Sequence, residues 1–237
     1  MSKLNAAFVT VIALLALALF ALGALKQHLD TAKNLQRLED QRLIAADLRI
    51  RIPQRRDALL NDQASPSAGN PFGDIAMVSF FDYNCGFCRA AALDLQQALT
   101  DDPNVKLVFK DFPVLGPASR FAARAALASH KQGKYEAFHL ALMAFPGPVN
   151  ERSTLTVAER VGLDLEQLKR DMQDPAITDT ITRNSALAKD LYIYGTPALV
   201  IGNEVIPGQV GIATLQRAIA EARAKAKVSS TAAKLAF

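Results

Sequence analysis

Cys85 and Cys88 are the two cysteines of a 237-residue chain, set two residues apart in "FFDYNCGFCRAAALDLQQAL", Phe80 to Leu99. Cysteines at this spacing can form a structural bridge, half of a metal site or a redox couple. A bridge stabilises by closing a loop and gains with loop length, so one across two residues contributes little. A structural zinc ion needs four ligands, and His28, His130 and His139 stand at ligand spacing from none of the others. His130 precedes a Lys-Gln-Gly helix end and His139 falls in an amphipathic stretch, so both read as structural. No histidine is placed to activate a cysteine for hydrolysis. Thiol chemistry is the best-supported reading, and it depends on what positions the two sulfurs.

"IAMVSFF", Ile75 to Phe81, is short and almost wholly apolar, which predicts a strand buried on both faces. "RAAALDLQQAL" favours helix. A helix beginning near Cys85 would set its sulfur against unpaired backbone amides and the positive end of the helix dipole, both of which stabilise a thiolate. Cys88, three positions on and deeper, is placed as the resolving thiol. Asp101 to Asn104 form a turn into a second strand, "VKLVF", Val105 to Phe109, and strand-helix-strand makes a right-handed βαβ unit. From 117 to 192 the patterns are all helical. "PALVIG" and "EVIPG" then read as a hairpin closed by Gly202-Asn203, and an amphipathic helix runs from Ile212 to Ala226.

Half of the residues are apolar, enough for one ordinary domain with accessory segments. Two cysteines exclude the disulfide-dense secreted scaffolds. The net charge of +4 is mild, and no Lys/Arg run interleaved with aromatics suggests nucleic-acid binding. "LNAAFVTVIALLALALFALGAL", Leu4 to Leu25, carries no charge and no proline. At about 1.5 Å per residue it could cross a hydrocarbon core of roughly 30 Å. It predicts a transmembrane anchor or uncleaved signal over 1–25; the alternative is a signal cleaved near Ala16-Leu17-Ala18 or Ala21-Leu22-Gly23.

After Lys26 the charges are mixed, while Leu29, Ala32, Leu35, Leu38, Leu43, Ala46 and Ile50 recur at roughly three- and four-residue steps. A stripe this narrow cannot bury itself, so 26–62 reads as a helical stalk and 26–52 as a candidate homo-oligomerisation segment. Pro53 should interrupt the helix, and "QRRDALLND" should form a second short piece. The Ser/Pro/Gly-rich 63–73 reads as a linker, 74–226 as the main domain and 227–237 as a flexible tail.

The order βαβ, helical insertion over about 117–192, then ββα is similar to the α/β thioredoxin fold with an all-helical insertion, here preceded by a transmembrane helix and a stalk. "GNPFGDIAMVSFFDYNCGFC", "FKDFPVLGPASRFAARAA" and "GTPALVIG" with "IPG" resemble the DsbA family of thiol-disulfide oxidoreductases, and in it the Com1-like and copper-sensitivity ScsC-like members. The resemblance covers Gly69 to Ala226. It implies Cys85 and Cys88 as the catalytic pair, with a cis Thr196-Pro197 against them. It also implies that the Thr196 backbone pairs with an extended substrate segment, with Gly86 and Phe87 completing the substrate surface. Gly86-Phe87 offers Cys85 no side-chain hydrogen bond or positive charge, which predicts a milder oxidant than relatives with histidine there. Many relatives carry an acid six residues before the first cysteine, where this chain has Ser79. Asp82 and Lys110 are the supporting candidates, although neither inherits that acid's proton-transfer role from the motifs.

The activity implied is formation or isomerisation of disulfides in cysteine-containing exported proteins. No metal and no cofactor beyond the Cys85-Cys88 couple is implied. The partners would be those clients, a membrane redox protein that reoxidises or reduces the couple, and the inner membrane through 4–25. The compartment would be the bacterial periplasm, with the domain anchored or released by cleavage. The alternative is a membrane-tethered chaperone or binding module whose C-x-x-C is not catalytic.

Overall fold

The computed structural model describes the backbone of residues 3–235 and, apart from 3–13, 16, 18, 229, 230 and 232–235, their side chains. Five strands make one sheet: β1 (Ser67–Gly69), β2 (Ile75–Phe81), β3 (Val105–Asp111), β4 (Ala198–Ile201) and β5 (Glu204–Pro207), in the order β1-β3-β2-β4-β5. β2 and β3 run parallel, Ile75 opposite Val105 and Phe81 opposite Asp111, and α3 (Gly86–Asp101) joins them. β4 returns antiparallel to β2 and turns into β5. Gly202 opens that turn at φ 60°, which glycine enters without strain, and an added Cβ would come within 3.1 Å of the Ala222 Cβ.

Alternation sorts the strand residues between two cores. Met77 and Phe81 of β2, Leu107 and Phe109 of β3, and Leu199 and Ile201 of β4 share a cluster with both cysteines. Val78, Phe80, Val108, Ala198 and Val200 face the opposite cluster. The insertion is five helices: α4 (Pro117–His130), α5 (Tyr135–Met143), α6 (Glu151–Arg160), α7 (Leu165–Asp171) and α8 (Pro175–Asp190). Helix α9 (Ile212–Leu235) packs Leu215 and Ile219 into the first cluster. Its Arg223 bridges Asp74 at 2.7 Å and Asp102 at 2.8 Å, tying α9 to the start of β2 and the end of α3. The expected tail at 227–237 is therefore helical as far as Leu235.

The N-terminal region departs from expectation in three respects. Helix α1 spans Lys3–Gln54, passing Pro53, and the break falls at Arg55 before α2 (Arg56–Leu60). A proline in the last turn forfeits only its own amide bond, and Arg55 N still reaches Arg51 O at 2.9 Å. Second, the compact main unit opens at Leu48 and not at 74, because Leu48, Ile52 and Leu59 bury themselves with Phe80, Leu191 and Ile193. The segment read as a linker holds β1, antiparallel to β3. Third, among the described residues no helix is long and apolar enough to cross a membrane. The first part of the expected span, 4–13, lies outside the described side chains. The described part, from Leu14 to Leu25, covers only about 18 Å at helical rise. In the unit before Leu48, Leu29, Leu35, Leu38 and Leu43 are exposed.

Candidate active site

β2 delivers the chain to Asp82, and three residues turn it into α3. Cys85 is the N-cap of that helix, extended at φ −81° and ψ 114°, and its amide donates to Asp82 O at 3.1 Å. The Cys88 amide donates to Cys85 Sγ at 3.4 Å, so sulfur stands where a capping oxygen usually does. On its other side the Cys85 thiol donates to Thr196 O at 3.3 Å, across 111 positions of sequence. The Thr196–Pro197 peptide is cis, and Gly208 N donates to Pro197 O at 2.8 Å from the end of β5.

Both cysteines are free and buried, Cys85 7% and Cys88 3% exposed. Burial pushes the Cys88 thiol well above the ordinary thiol range. Cys85 pushes in the same direction, while the Asp82 backbone and the Thr196 side chain oppose it. Gly86 and Phe87 face outward, Phe87 being 68% exposed. The arrangement offers one sulfur at a helix start beside an exposed rim, with a second held neutral behind it.

Asp82 lies at the site but its carboxylate is occupied. It accepts from the Asn84 amide at 2.8 Å, the Ser119 hydroxyl at 2.7 Å and the Leu115 amide at 2.9 Å. Those bonds tie the turn before Cys85 to the loop that enters α4. Lys110 is not at the site. It stands opposite Phe80 in the register, so alternation sends it to the other face of the sheet. There Nζ donates to Ala58 O at 2.6 Å and Ser65 Oγ at 2.7 Å, with Asp62 at 3.7 Å as its acid. Burial brings it down to about 8. Ser79, at the position of the relatives' acid, is buried.

Three residues escaped the sequence reading. The Asn84 side chain donates through Nδ2 to Val149 O at 2.9 Å and accepts at Oδ1 from Val149 N at 2.8 Å, while Arg89 donates to Tyr83 O, Phe145 O and Gly147 O. Together they lock the cysteine turn to the loop before α6. The third is Asp111, whose alternation with Phe109 could have placed it on the cysteine side. It is buried, accepts from Tyr135 Oη at 3.0 Å, and has Oδ1 without a partner. Burial raises it to about 7. Nearby, His139 sits 3.1 Å from Tyr83 Oη, stacks on Tyr135, and is pulled down to about 3 by burial. A cavity of about 600 Å³ lined by Ile52, Leu59, Val200 and Ala222 lies at the opposite end of β2 and contains none of these residues.

A family model, the DSBA-like thioredoxin domain, matches residues 76–220. The chain belongs to this family. A thioredoxin-like oxidoreductase from Silicibacter pomeroyi is 50% identical over 71% of this chain and 97% of its own, with a TM-score of 0.70. A linker-deleted ScsC variant from Proteus mirabilis is 30% identical, covering 78% of this chain and 86% of its own at TM-score 0.72. The thiol-disulfide exchange protein alpha-DsbA2 from Wolbachia pipientis is 31% identical over 75% of this chain and 96% of its own, TM-score 0.70. Among curated proteins, a Na(+)/H(+) antiporter NhaA 1 from Salinispora arenicola is 26% identical over 178 residues. The match takes in 74% of this chain but spans only about a quarter, 26%, of that antiporter. The DSBA-like domain thus carries its C-x-x-C on the helix start and its cis-proline just before β4, with the Thr196 carbonyl against Cys85.

Proposed function

We propose that this DSBA-like chain forms or isomerises disulfide bonds in exported proteins through Cys85 and Cys88. The observation that carries the reading is the position of Cys85 Sγ, at the start of α3 between the Cys88 amide and Thr196 O. In the oxidised form a client thiolate attacks Cys85 Sγ, the Cys85–Cys88 bond breaks, and the Cys88 sulfur leaves with the electron pair and takes up a proton. A second client thiolate then attacks the client sulfur of the mixed disulfide and releases Cys85. The client loses two electrons, which the Cys85/Cys88 pair gains, so no further cofactor is needed. With the pair reduced, Cys85 attacks a non-native client bridge and the same steps run towards rearrangement.

Exposed Phe87, Leu115 and Tyr194 favour unfolded clients: Phe87 lies between the cysteines, Leu115 bonds the Asp82 turn, and Tyr194 stands two residues before Thr196, whose carbonyl receives the Cys85 thiol. An oxidising role requires a compartment outside the reducing cytosol, and the apolar run at 4–25 supports export. Reoxidation then calls for a partner at the membrane. The exposed leucines of 29–43 support self-association, which would favour isomerisation by presenting several sites to one client. Leu48 and Ile52, the end of the expected association segment, are already used in the main unit. The test is Cys85→Ser. Insulin reduction and reactivation of scrambled RNase should fall to background; retention of either would mean that Cys85 is not the attacking sulfur, and a wild-type chain without either activity whose client protection is unchanged by Cys85→Ser would have a chaperone role.

A further inference from the structure

Segment 191–197 joins the last insertion helix to the cis-proline, and it carries the carbonyl that receives the Cys85 thiol. On its C-terminal side it is held by the Gly208–Pro197 bond and by β4. On its N-terminal side it leaves α8 through a Schellman turn: Ile193 N donates to Ala188 O at 2.8 Å and Tyr192 N to Lys189 O at 3.1 Å. The left-handed position of such a turn normally belongs to glycine, yet here Tyr192 occupies it at φ 57°. The end of α1 supports this turn from outside. Arg51 and Arg55 both grip Asp190, the last residue of α8, at 2.9 and 2.5 Å. The Arg51 guanidinium also lies 5.4 Å from the centre of the Tyr192 ring. Beneath them Leu48 and Ile52 share a buried cluster with Leu191, Ile193 and Ala198. Charge, ring and apolar contacts thus converge on the few residues that aim Thr196 at the sulfur.

We propose that Arg51 and Arg55 are positioning residues, through which the end of α1 braces segment 191–197 and thereby holds the Thr196 backbone ready for an extended client segment. The client half of this statement rests on the function proposed above; the brace does not. Surface pairs of this kind couple by up to about fivefold in an equilibrium, so they tune the loop without deciding the fold.

The test uses the full chain with Arg51→Ala/Arg55→Ala, with Asp190→Asn, and with all three changes. Amide hydrogen exchange at 191–193 should speed up about fivefold in Asp190→Asn and at least as much in the arginine pair, which also loses the Arg51–Tyr192 contact, with little further gain in the triple variant over the arginine pair, because Asp190 then has no arginine left to lose. Exchange in α3 should not move. The KM for a cysteine-bridged peptide should rise by a similar factor of about five, with kcat within about twofold and the reduction potential unchanged. Unchanged exchange at 191–193 would overturn the brace, and a lowered melting temperature with an unchanged KM would reduce it to fold support. A wild-type chain inactive on bridged peptides would sink the functional reading alone, because amide exchange needs no activity.

Discussion

At the scale of single residues, the cluster behind the cysteines contains two ionisable groups displaced in opposite senses. Asp111 is raised by burial from 3.8 to about 7, so the folded chain holds a proton there that the unfolded chain has lost. Its contribution is fully present below pH 3.8 and is lost as the pH rises through about 7. His139 is lowered by burial from 6.5 to about 3, so its contribution is present above 6.5 and is lost as the pH falls towards 3. Between roughly pH 4 and 6.5 the two slopes oppose each other. Asp111→Asn should therefore leave a chain whose stability climbs with pH across that window, by about 1 kcal/mol per pH unit relative to wild type. His139→Phe should tilt the curve the other way. Urea unfolding at pH 4.5, 5.5 and 6.5 separates them; parallel curves for wild type and Asp111→Asn would mean that Asp111 ionises normally in the folded chain.

At the scale of elements, the least conspicuous strand supports a specific prediction. Gly69 closes β1 at φ 75°, and a Cβ there would stand 2.6 Å from Val105 O. Backbone cannot retreat as a side chain can. Gly69→Ala should cost about 2 kcal/mol, read as a lower urea midpoint at unchanged slope. A midpoint within error of wild type would mean that the end of β1 moves off Val105 O without cost. This strand was illegible in the sequence because only Ala68 of its three residues is buried, too few for an alternating pattern, and its Ser/Pro/Gly surroundings signal a loop. β2, α3 and the β4–β5 hairpin were legible because each has its own local cause: an apolar run, helix formers after a capping residue, a glycine turn. Lys110 was misplaced for a related reason. Alternation in "VKLVFK" puts Lys110 on one face with Lys106 and Val108, away from Val105, Leu107 and Phe109, but which of the two faces the cysteines share emerges only from pairing with β2. The cysteine site was read from motifs far apart in the chain, but the Asn84 and Arg89 ties to the 145–149 loop were not, since a side-chain bond to a distant backbone leaves no periodic trace.

At the scale of the whole molecule, the open matter is what covers the helix before Leu48. Leu29, Leu35, Leu38 and Leu43 are 53–65% exposed, and each buried leucine would contribute on the order of 2 kcal/mol. Among the described residues of their own unit only this helix is present, and one helix cannot bury its own stripe. The self-association proposed above would cover the stripe with the same residues on each copy, leaving the mixed charges on the outer faces. A chain beginning at Lys26 should therefore scatter light as more than one copy at micromolar concentration. Leu35→Asp/Leu38→Asp should return it to one copy, while the cysteine site, more than forty residues on, keeps its reduction potential. Disulfide isomerisation should fall in that variant and simple oxidation of a dithiol peptide should persist, because only rearrangement gains from neighbouring sites on one client. A wild-type chain that stays monomeric at all concentrations would remove the support for isomerisation and leave oxidation as the activity of the Cys85–Cys88 pair.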